Sequence, residues 1–168
     1  MLITLIHALF FRSRIGVFDT SVVNLVVWPN DVDVTQVTND RYHAYMDIGR
    51  FDFIARAGLI PTMARRGWGP RSRQAIIRNR HPLKLMQRFQ LHTSLQCWDE
   101  NWFWFKQEFV YNGRTTSISY SKVGVSTKGK MVTTAMVLAA ANQPAQSPDW
   151  PLLKQLDAVE ESLRLHQR

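Results

Sequence analysis

The 168-residue chain holds one cysteine, Cys97, which excludes an internal disulfide and an all-cysteine metal cage and points to a reducing, cytoplasmic setting. It has no run of roughly 18 apolar residues, the length a membrane-spanning helix needs. Leu2 to Phe11 comes nearest, and Thr4 and His7 interrupt it. No basic residues precede that run and no small-residue cleavage site follows, which argues against a leader peptide. Its apolar positions fall at helical spacing, so a short amphipathic helix docking on the domain is expected, with membrane-surface contact through residues 2–11 as a second reading. Also missing are a Gly-x-Ser-x-Gly elbow, a P-loop, a dinucleotide fingerprint and a His-Glu-x-x-His pair. The five histidines are scattered without ligand spacing, so neither a metal site nor a cofactor is expected.

Acidic residues are absent from Gly58 to Trp98, a stretch with eight Lys and Arg that matches the chain's whole net charge of +8. Such a field favours an anionic partner: nucleic acid, an anionic membrane or a phosphate-bearing small molecule such as coenzyme A. What the chain does have is apolar content of 45%, with six Trp and nine Phe, enough for one packed domain.

Val22 to Trp28 reads as a buried strand, and Asp40 to Ala57 as a long helix with Tyr42, Met46, Phe53 and Ala57 on one face. Gly49 in the middle of that helix predicts close approach to a sheet. Further strands are expected at Arg73 to Arg80, Phe89 to Cys97, Trp102 to Tyr111 and Thr115 to Val125, with Asn112-Gly113 as a hairpin turn. Lys128-Gly129-Lys130 should break the sheet. Thr133 or Thr134 should cap a short helix to Ala141, and Pro151 should open a last helix striped by Leu152, Leu156, Val159 and Leu163. The expected class is α+β, one five-stranded antiparallel sheet wrapped on one helix. Residues 1–146 form the domain and 147–168 a C-terminal amphipathic helix.

The polar stretch from Trp28 to Tyr42, with Tyr45-Met-Asp-Ile-Gly-Arg50, Arg80-His-Pro-Leu83, Gln87-Arg-Phe89 and Trp98-Asp-Glu-Asn-Trp-Phe103, resembles the hot-dog-fold thioesterase superfamily, in its bacterial acyl-CoA thioesterase-like branch related to 4-hydroxybenzoyl-CoA thioesterases. The resemblance runs from about Arg12 to Ala141. It implies a hot-dog fold, hydrolysis of an acyl-CoA thioester, and pairing of subunits into a homodimer or dimer of dimers. Asp33 matches the residue that acts in relatives as nucleophile or general base. A carboxylate suits either role, and N–H groups at a helix N-terminus suit the developing oxyanion. The loop departs from the family pattern: the interval from Asp33 to Tyr42 is one residue short, the usual His is absent, and Asn39-Asp40 replaces Asn-Asn. Substrate contacts are expected from Asp31, Gln36, Asn39 and Tyr42, and coenzyme A phosphates on Arg78 and Arg80. From residue type alone, Asp31 and Asp33 are also ordinary turn residues, Asn39 or Asp40 a helix cap, and Tyr42 and Met46 core.

Two other functions fit parts of the pattern. A hot-dog domain that binds acyl groups or acyl-CoA without hydrolysis would account for the short loop and the lost His. Nucleic-acid binding would use the basic stretch, but the aromatics of Trp102 to Phe105 alternate across a strand, which places half of them in the core and disfavours stacking platforms.

Overall fold

The computed structural model describes residues 13–144 and 146–165, so the helix expected over Leu2 to Phe11 lies outside the described residues. β1 (Thr20–Val26) leads through a 3-10 turn (Pro29–Asp31) and two short strands, β2 (Val32–Asp33) and β3 (Gln36–Val37), into α1 (Asn39–Arg56). Then follow α2 (Ile60–Arg66), β4 (Gly69–Asn79), β5 (Arg88–Trp98), β6 (Trp102–Tyr111), β7 (Arg114–Thr127), β8 (Lys130–Val132), α3 (Thr134–Ala140) and α4 (Leu153–Leu165). The main sheet has the order β1-β5-β6-β7-β4, with β8 paired to β7, and every pairing is antiparallel.

The sheet wraps on α1 as its apolar spacing requires: Tyr42, Met46 and Phe53 are buried, and Ala57 is the partly exposed C-cap. Gly49 makes the predicted close approach, for a Cβ there would stand 2.5 Å from Thr93 Oγ1 and 2.8 Å from Leu91 Cδ2. One core cluster surrounds the first half of α1, with Tyr42, Met46, Leu91 and Phe109; a second surrounds Phe53, Phe105 and Val125. The opposite sheet face is covered by the C-terminal segment, where Trp150, Leu152, Leu153 and Leu156 pack on Cys97 and Trp104.

Several expectations are corrected. Lys128-Gly129 does not end the sheet but turns it, through two left-handed residues, into β8, which makes six strands instead of five. The polar stretch after β1 is a miniature hairpin instead of an open loop. Cys97 does not share a face with Leu95, because a bulge between them shifts the register and puts Cys97 beside Trp104 on the outer face. The α4 stripe is narrower than its spacing suggests: Leu156 is buried, Val159 is exposed, and Glu160 turns inward. Residues 60–66, where no element is expected from the sequence, form a short helix that buries Met63 and that Gly67 ends in the left-handed region.

Candidate active site

At the N-terminus of α1, Asp31 ties the preceding loop to the helix. Its Oδ2 accepts hydrogen bonds from the Trp28 N–H at 2.9 Å and the Tyr45 hydroxyl at 2.7 Å, and its Oδ1 lies 3.7 Å from Arg41 Nε. The Thr38 N–H donates to the Asp31 carbonyl at 3.2 Å, closing the hairpin back on its own start. Burial, reinforced by the bond to Asp31, pushes the Tyr45 phenol above its ordinary range, so it stays a donor. Asp31 is buried and fully engaged. Its geometry makes it the anchor that fixes the loop to the first two turns of α1.

Two residues on, Asp33 is exposed at the end of β2. The hairpin between it and Gln36 is tight: the Thr35 N–H donates to the Asp33 carbonyl at 2.7 Å, and Val34 takes φ +59°. The two aspartates differ because Asp31 closes the 3-10 turn, where its side chain turns inward, while Asp33 lies in the short strand that follows and stays exposed. Gln36 is exposed and pairs through its backbone with Lys84.

Thr38, and neither Asn39 nor Asp40, is the cap residue of α1. Its hydroxyl donates to the Asp40 carboxylate instead of accepting from the first turn, and this bond holds the Asp40 carboxyl below its usual range. Thr38 thus makes no side-chain cap bond, and the first-turn N–H groups of Asp40 and Arg41 meet the Asp40 carboxylate, a negative charge of the sign a helix N-terminus favours. Tyr42 is fully buried, and its hydroxyl accepts from the Leu83 N–H at 2.9 Å, which makes it a strut between α1 and the segment before β5.

Beside this helix start lies a group the sequence reading missed. Asn79 Nδ2 reaches Asn39 Oδ1 at 3.5 Å, and Asn79 pairs across the sheet with Ser117. Among the described residues, Asn79 Oδ1, Ser117 Oγ and Ser119 Oγ are buried side-chain atoms with no hydrogen-bond partner. Buried polar atoms normally find partners, so this cluster stands apart from the rest of the core. Its signal in the sequence is the alternation Ser117, Ser119, Ser121, small polar residues on the face of β7 that should carry apolar ones.

Further along α1, a hollow of about 200 Å³ is lined by Asp47, Arg50, Phe51, Ile54, Ser72 and Val123. Arg50 is buried there, donating to Ser121 Oγ at 2.9 Å and Gln107 Oε1 at 3.2 Å and pairing with Asp47. Burial lowers its pKa and Asp47 opposes that shift. Through Ile54, Pro70 and Val123 the hollow adjoins a wholly apolar cavity of about 50 Å³ under Phe53, Phe103 and Leu138. Arg78 and Arg80 are exposed and line a separate recess of about 210 Å³ with Thr115 to Ile118. Of the other basic residues, Arg73 is engaged by Glu160 and lies over the Trp102 ring.

Residues 27–155 match the family model of the thioesterase-like superfamily. Protein THEM6 of Xenopus laevis is 35% identical over 86 residues, a match covering 51% of this chain and 42% of that protein, so the chain matches less than half the length of this relative. Two solved structures share the fold at low identity. One is a 1,4-dihydroxy-2-naphthoyl-CoA thioesterase from Synechocystis (TM-score 0.64, 11% identity, 75% of this chain and 100% of that one). The other is a hypothetical protein from Staphylococcus aureus in complex with CoA (TM-score 0.66, 12% identity, 83% of this chain and 94% of that one). With its antiparallel sheet curled on one long helix and most of its length matched by the family model, the chain belongs to the thioesterase-like superfamily and has the hot-dog fold.

Proposed function

We propose that the protein hydrolyses the thioester of an acyl-CoA, with Asp33 as the reacting carboxylate. The observation that supports this reading is an exposed carboxylate, Asp33, on the hairpin that leads into α1, a helix whose N-terminal end favours negative charge. As a base, Asp33 takes a proton from water while the water oxygen bonds to the carbonyl carbon. The C–S bond then breaks, and the sulfur leaves as a thiolate that regains a proton. As a nucleophile, Asp33 forms the bond to carbon itself, and water cleaves the resulting anhydride. In either route the negative charge on the carbonyl oxygen falls where first-turn N–H groups lower its energy. Asp31 and Tyr42 position the loop, Gln36 and Asn39 border the reacting group, and the apolar cavity beyond Arg50 suits a hydrocarbon acyl end. Arg78 and Arg80 are free on the surface to meet the phosphates of coenzyme A.

A panel of acyl-CoAs with thiol detection tests the reading. The expected result is release of free thiol that falls on the order of 10²–10⁴-fold in Asp33→Asn, with Asp40→Asn close to the parent. Turnover within a few-fold of the parent in Asp33→Asn overturns the assignment. Acyl-CoA binding without any hydrolysis replaces it by the carrier reading, which the missing loop His and the shortened interval favour.

A further inference from the structure

The end of the molecule that carries the start of α1 also carries an apolar surface with no part in hydrolysis. Four large apolar side chains are exposed there: Trp28 at 57%, Val34 at 89%, Leu85 at 41% and Met86 at 60%. They come from two segments that the backbone ties together. The Met86 N–H donates to the Val27 carbonyl at 2.9 Å, the Val27 N–H to the Gln87 carbonyl at 3.0 Å, and the Leu85 N–H to the Thr35 carbonyl at 3.3 Å. The four side chains therefore share one rim.

Two of these tips are held at a conformational cost. Val34 and Met86 have φ of +59° and +62°, while the other described non-glycine residues with positive φ are Asn112, Asn142 and Lys128. Asn tolerates that region, and a β-branched residue is an outlier there. Core packing gives Val34 no reason to be apolar, because nearly all of it faces solvent. Strain maintained at an exposed apolar tip points to a use outside the fold.

The surroundings say what that use is. Arg78, Arg80, Lys84 and Arg88 are all exposed at this end of the sheet. The carboxylates facing them are Asp33 and Asp40, and Arg41 lies against Asp40 and the buried Asp31. Apolar tips including a Trp, set within a cationic rim, match the layered chemistry of an anionic bilayer: hydrocarbon boundary inside, phosphate headgroups around it. We propose that this end of the protein docks on an anionic lipid surface through Trp28, Val34, Leu85 and Met86, with Lys84 and Arg88 on the headgroups. The start of α1 then opens toward the bilayer.

The test is co-sedimentation of the full chain with vesicles of phosphatidylcholine alone or with 30% phosphatidylglycerol at moderate salt. Binding to the anionic vesicles at least tenfold above the neutral ones is expected. Val34→Asn with Met86→Gly places residues that accept the left-handed backbone, so the fold is kept while the tips are removed; binding should fall tenfold or more. Lys84→Gln with Arg88→Gln should lower it by about fivefold per charge. Equal binding to both vesicle types, or undiminished binding of the Val34→Asn/Met86→Gly variant, overturns the proposal. So does conversion of a dimeric parent to a monomer by that variant, which would make the rim a subunit interface. Each readout is independent of hydrolysis.

Discussion

At the scale of single residues, Gly49 and the Asp31/Asp33 pair show what one position decides. Alanine at 49 would gain about 1 kcal/mol of helix propensity. Its Cβ, however, would press on Thr93 Oγ1, on Leu91 Cδ2 and, at 2.7 Å, on Gln107 Nε2. Gln107 has little room to yield, for its amide donates to the Met46 carbonyl at 2.9 Å and to Thr93 Oγ1 at 3.1 Å. Overpacking of this kind costs about 1–3 kcal/mol, so Gly49→Ala should lower the urea midpoint; an unchanged or raised midpoint would show that the sheet gives way. Tyr45→Phe takes a donor from a buried carboxylate and should cost about 1–3 kcal/mol, whereas Asp33→Asn should leave the midpoint where it is. Paired unfolding curves decide between them. The close approach at Gly49 was legible in the sequence, since a mid-helix glycine has few other uses. The division of labour between two aspartates two residues apart was not, because it depends on a 3-10 turn of three residues that ends at Asp31 and carries no period of its own.

At the scale of elements, legibility followed length. α1 and the long strands have enough turns or alternations for their period to stand out, and their expected ends lie within a few residues of the observed ones, apart from the first residues of β4. β2, β3 and β8 have two or three residues each and carry no period, and a bulge such as that before Cys97 shifts faces without any mark in composition. α4 is the element whose attachment depends most on charge. Lys122 Nζ bonds Asp157 Oδ1 at 2.9 Å and Glu160 Oε2 at 2.7 Å, and Glu160 also holds Arg73. Burial opposes the Glu160 charge, but the bonds from Lys122 and Arg73 outweigh it and hold its carboxyl below the usual value. Burial likewise opposes the Lys122 charge, and Glu160 and Asp157 outweigh it and raise that pKa. The Glu160 contribution is present above its unfolded value near 4.5 and fades as pH falls through the lower folded one. That of Lys122 is present below 10.5 and fades as pH rises through its raised folded value. Acid should therefore loosen α4 first. Near-ultraviolet circular dichroism reads the Trp104–Trp150 pair, whose rings lie 6.0 Å apart. Its signal should decline below about pH 4.5 ahead of the far-ultraviolet signal; a decline of both together would mean that apolar contact alone holds the helix.

At the scale of the whole molecule, the sheet ends on two strands, β1 of seven residues and β4 of eleven. A long unpaired edge is a template for another chain. β4 offers the longer row of free backbone groups, and the hollow lined by Arg50, Phe51 and Ser72 opens along the same border, so a second copy paired there would close it. An isologous dimer through β4 is the expected assembly. The outer sheet face is the other place where copies could meet, and there α4 stands over Cys97, Trp104 and Tyr120. With α4 in place, back-to-back joining of two dimers should be hindered in the full chain. Removing 147–168, the segment proposed as separate from the 1–146 domain, would uncover that face, including a Cys97 thiol that burial pushes up to about 12 and keeps unreactive at neutral pH. Light scattering should give twice 19.5 kDa for the full chain at micromolar concentration and a larger species for the truncated one, with Cys97 newly open to alkylation. A full-chain monomer would show that β4 remains an open edge, and a truncated protein that stays dimeric with a protected thiol would show that α4 is not what limits assembly.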